Sequence, residues 1–64
     1  MITLTRVGEA NAGLFVYTIE RQGAEPERWL TRAETVKRLI ALGVEDPEPL
    51  VAAAAERGKV LIHE

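Results

Sequence analysis

The residues from Trp29 to Gly58, WLTRAETVKRLIALGVEDPEPLVAAAAERG, carry two helix starts and two helix stops in succession. Whatever flanks them has to form strands and turns that pack on this pair. Thr31 begins the first helix: its hydroxyl can accept from a free N–H of the opening turn while Glu34 reaches back to the Thr31 N–H, the reciprocal pattern of a capping box. Ala33, Val36, Leu39, Ile40 and Gly43 then recur at three-and-four spacing, which predicts them as the inner face, with Arg32, Glu34, Thr35, Lys37, Arg38 and Ala41 elsewhere. Gly43 can take the left-handed conformation that stops a helix, and Val44 can fold back onto Leu39, as in a Schellman motif. The predicted helix runs from about Arg32 to Leu42.

The second helix is expected to open with Asp46 as cap and Pro47 at its first position, where a missing N–H costs nothing. Glu45, Asp46 and Glu48 place negative charge at the positive end of its dipole. Leu50, Val51 and Ala54 form the predicted inner face, and the alanine run keeps the helix thin enough for close approach to a neighbour. Gly58 ends it.

Four segments read as strands. Residues 1–8, MITLTRVG, alternate with Ile2, Leu4 and Arg6 on one face and Thr3, Thr5 and Val7 on the other. The following GEANAG, residues 8–13, reads as a hairpin loop. Leu14 to Arg21 places Phe15, Tyr17 and Ile19 on one face and Leu14, Val16, Thr18 and Glu20 on the other; its first six residues, apolar on both faces except Thr18, fit a central strand. Glu27 to Leu30 is a short third strand feeding the first helix, with Trp29 expected as a core or rim anchor. Lys59 to His63 is the last strand, Val60 and Ile62 opposite Leu61.

The expected fold is α+β over residues 1–64: strand, strand, short strand, helix, helix, strand, with both helices on one face of an antiparallel or mixed sheet. Sheet order is not readable, since the last strand can add beside the first or pair with the short third.

A chain of 64 residues buries only about 60% of the surface its unfolded form exposes. It has no cysteine and one histidine, so neither a disulfide nor a structural zinc site of the usual ligands can staple it. Extra burial then has to come from close packing or a second subunit. No apolar run approaches the roughly 20 residues that span a bilayer, and no basic segment leads into an apolar one at the start. A soluble, cytoplasmic protein is the expectation. The net charge of −2, with both signs interleaved, offers no large field for nucleic acid or an anionic membrane.

No catalytic residue, cofactor or metal site is expected. There is no Ser or Cys nucleophile, His63 sits at the chain end, and Glu34, Glu45, Asp46 and Glu48 are accounted for as helix-start residues. A helix-turn-helix is disfavoured because the second helix presents Pro, Glu, Leu, Val and alanines where base-reading side chains belong.

The leading expectation is a non-enzymatic interaction module, working as a homodimer or as a subunit or regulator that binds another protein. It follows from counting faces. If the helices cover Ile2, Leu4, Phe15, Tyr17, Ile19, Val60 and Ile62, the opposite face keeps Thr3, Thr5, Val7, Leu14, Val16 and Thr18, none charged, where a solvated face would carry charged residues. The alternative is single-stranded nucleic-acid or RNA binding through Arg6, Tyr17, Arg21, Arg28 and Trp29 as a basic and aromatic platform.

Overall fold

Alternation along the strands sorts their side chains into an apolar set and a second, mildly polar set, and the helices cover the first. A computed structural model describes residues 1–11 and 14–63, with side chains described except at residues 9–11 and 14. The elements are β1 (Ile2–Asn11), β2 (Leu14–Arg21), β3 (Glu27–Leu30), α1 (Arg32–Ala41), α2 (Pro47–Arg57) and β4 (Lys59–Ile62). They form an α+β fold with one antiparallel sheet of order β3-β2-β1-β4. The last strand therefore adds beside the first, which leaves β3 and β4 as edges.

Packed on one face, α1 lies against β2 and β3 while α2 lies against β1 and β4. Ile2, Leu4, Tyr17, Ile19 and Ile62 of the sheet meet Leu39, Val51 and Ala54 of the helices in the core, with Phe15, Leu30, Leu50 and Val60 packed around them. Each fully buried large aliphatic side chain contributes about 1.5–3 kcal/mol. Ala54 has no exposed surface, consistent with the close approach that a small side chain permits.

Thr31 caps α1 in a complete capping box, its hydroxyl accepting from the Glu34 N–H at 3.2 Å and the Glu34 carboxylate from the Thr31 N–H at 3.0 Å. The helix ends in a Schellman motif: Val44 N–H donates to Leu39 O and Gly43 N–H to Ile40 O, both at 3.0 Å, with Gly43 at φ 95°. In α2, Asp46 occupies the cap position but its side chain makes no capping hydrogen bond, whereas Gly58 takes the left-handed conformation that ends the helix.

Three expectations need correction. The inner face of α1 is Thr35, Val36, Leu39 and Leu42, and Ala33 and Ile40 are exposed. Thr35 can be fully buried because its hydroxyl donates to the Thr31 carbonyl at 2.7 Å, so no polar group is left unpaired. β1 does not stop at Gly8; it continues to Asn11 through register shifts between Arg6 and Asn11, and Gly8 at φ 63° stands inside a bulge. The expected hairpin tip at residues 12 and 13 lies outside the described residues. Finally, Trp29 is no core anchor. It is 70% exposed.

Candidate interaction surface

The face of the sheet away from the helices has no element packed on it among the described residues. Register decides its membership. Thr3 pairs with Glu20 and Leu61, and Thr5 with Thr18 and Lys59, so these residues share a face, with Val7 and Val16 beyond them. Leu14 belongs to the same alternation, but its side chain lies outside the described residues. Leu61 and Val7 are 54% and 40% exposed, whereas Val16 and Thr18 are buried.

The third strand reaches this face by a bulge. Ile19 pairs with Glu27 and Tyr17 with Leu30: two residues of β2 oppose an interval of three on β3. Glu27 and Leu30 therefore both point toward the helices, and Arg28 and Trp29 are displaced to the open side. Trp29 adopts φ 59°, the one described non-glycine residue with positive φ. The equivalent bulge in β1 uses Gly8, which takes φ 63° without steric cost. A bulky side chain in the left-handed region costs about 1–2 kcal/mol.

Between these strands lies a shallow groove of about 280 Å³ lined by Thr5, Val7, Thr18, Glu20, Arg28 and Trp29. Its charged groups are Glu20 and Arg28 beside Trp29, and Lys59 lies beyond it on the far edge strand. A second concavity, about 320 Å³, opens at the α1–α2 connection and is lined by Leu42, Val44, Glu45, Asp46, Leu50 and His63 among others. It combines apolar walls with two carboxylates. No group of three His, Cys, Asp or Glu able to hold a metal ion occurs among the described residues, and no helix there is long and apolar enough to cross a membrane.

The residues of the nucleic-acid alternative are divided between the faces. Arg28 and Trp29 are on the open side. Tyr17 is buried in the core. Arg6 is on the helix side: its guanidinium carbon stands 4.8 Å from the centre of the Phe15 ring and its Nη1 donates to the Ala55 carbonyl at 2.5 Å, in the last turns of α2. There it complements the negative end of the helix dipole, and its backbone N–H donates to Gly58 O at 2.9 Å, tying β1 to the start of β4. Arg21 pairs with Ile2 and so shares the helix-side face.

Trp29 had no readable signal as a surface residue, because nothing in ERWL announces a bulge. Leu61 was readable as opposite Val60 and Ile62, but became part of the open face only when β4 paired with β1. No family model matches this chain, and no curated protein or solved structure shows significant similarity to it. Function has to be read from the surface itself.

Proposed function

We propose that this protein is a non-enzymatic interaction module that binds protein through its open sheet face, as a homodimer or as a subunit or regulator of a larger assembly. The observation that carries this reading is Trp29. Its side chain is largely exposed, so it adds little to the core, and its backbone is held in a conformation that favours glycine. A residue that strains the fold and buries little is explained by what it does outside the fold. Exposed Trp is also the residue type most enriched among the anchors of protein interfaces. Val7, Leu61 and the threonines extend the surface around it.

Arg28 and Lys59 against Glu20 leave this face with one net positive charge, and the chain as a whole carries −2. A single surplus cation is too little for the several phosphate contacts that hold a polyanion, which favours a protein partner. Affinity capture from source cells, with nuclease treatment and with a Trp29→Ala, Leu61→Glu variant in parallel, tests the reading. Nuclease-resistant protein retention that disappears in the variant is expected. Retention that depends on nucleic acid, or that the variant leaves unchanged, would overturn it.

A further inference from the structure

We propose that the occupant of the open face is a second copy of this chain, packed face to face about a two-fold axis that runs along the strands between β1 and β2. The proposal rests on the reading of that face as a protein-docking surface and names its partner.

The argument is one of self-complementarity. Thr5 pairs with Thr18 on one side and Lys59 on the other, and Trp29 lies in β3 between the Ile19–Glu27 and Tyr17–Leu30 pairs, level with Thr18. One row therefore crosses the open face in the order Trp29, Thr18, Thr5, Lys59. An exposed aromatic stands at one border and a cation at the other. Rotation about the stated axis turns this row end for end. Trp29 then lies over Lys59 of the second copy, and the β1–β2 strip, where Thr5 and Val7 carry the accessible surface and Val16 and Thr18 are already buried, lies over the same strip of the second copy, so each contact is made twice. An ammonium over an indole face is an attractive pairing, set against a second cation, Arg28, at the same border as Trp29, and Glu20 meets Thr3. A two-fold axis perpendicular to the strands would instead set Glu20 over Val16. The Trp29–Lys59 pairing selects the first arrangement.

The area agrees with a dimer of moderate affinity. Four strands at ~4.8 Å spacing and about six residues at ~3.3 Å rise give a face of roughly 20 by 20 Å. Two such faces bury roughly 800 Å² in flat projection and more with side-chain relief, near the ~1,000 Å² at which specific interfaces begin. The dimer is therefore expected to depend on concentration. The second copy would also give this small chain, which has no disulfide, the added burial it otherwise lacks.

Light scattering of the full chain over a concentration series should show the mass rising from 7.1 kDa toward twice that value. Trp29→Ala and Lys59→Glu should each raise the dissociation constant about tenfold, while Lys59→Arg retains the dimer. Both sites are exposed, and circular dichroism checks that each variant stays folded; Val16, being buried, would not give a clean test. A monomer at high micromolar concentration overturns the second copy, and the wider reading survives if protein capture still depends on Trp29. A dimer indifferent to Trp29 and Lys59 places self-association on an edge strand and overturns the face-to-face arrangement.

Discussion

Arg38 forks onto Glu27, its Nε donating to Oε1 at 2.5 Å and its Nη2 to Oε2 at 3.1 Å. The pair joins α1 to the first residue of β3, two positions before the bulge that carries Trp29. The Glu27 carboxyl is held below its ordinary value near 4.5, chiefly by the Arg38 hydrogen bond, against desolvation and with added attraction from Arg38 and Arg21. A carboxyl depressed in the folded state contributes stability that is fully present above its unfolded pKa and is lost as pH falls through the folded one. Glu27→Gln should therefore lower the melting temperature at pH 7, and the gap to the parent should narrow below about pH 4.5. A gap that stays constant from pH 7 to 3 would exclude the linkage. Because both side chains are partly exposed, the effect should be modest and should shrink in salt.

Trp29→Gly should separate stability from binding. Relief of the left-handed strain is worth about 1–2 kcal/mol, and the extra freedom of glycine in the unfolded chain takes back about 0.5–1. The variant should be more stable by about 0.5–1 kcal/mol and still lose its self-association. Chemical denaturation read beside light scattering decides. A destabilised variant would mean that the indole supports the fold.

The two ends of α1 can be tested independently. Thr31→Ala removes the capping hydroxyl, and Gly43→Ala places a β-carbon at φ 95°, where no atom of the protein crowds it and conformational strain alone acts. Each should cost about 1 kcal/mol, or roughly 4–8 °C in a domain of this size. Thermal scans unchanged by either substitution would remove that signal from the account of the helix.

The helix phase predicts a sharp contrast between neighbours. Leu39 is fully buried and Ile40 exposed, so Leu39→Ala should cost about 2–5 kcal/mol and Ile40→Ala less than about 0.5. Against a total near 3–10 kcal/mol for a chain of this length, the first loss is enough to leave much of the protein unfolded. Equal losses at the two sites, measured by urea titration, would show that the phase assigned to α1 is wrong.

What the sequence alone determined is what local chemistry determines. Thr31 with Glu34, Gly43 with Val44, and Pro47 and Gly58 act within a few residues of themselves, so the helices are bounded wherever the chain later packs them. Strand alternation likewise separates Ile2 and Leu4 from Thr3 and Thr5 before any partner is known. Which face of α1 turns inward was settled by tertiary packing: the Thr35 hydroxyl can bond the Thr31 carbonyl one turn back wherever the helix forms, and only the sheet beneath it buries that side and leaves Ile40 out. The open face was settled the same way. In an unbroken strand Trp29 would point with Glu27 into the core; one inserted residue reverses the parity, turns Leu30 inward and sends Trp29 out. That insertion is visible only in the pairing of β3 with β2, a relation between segments that neither segment carries by itself.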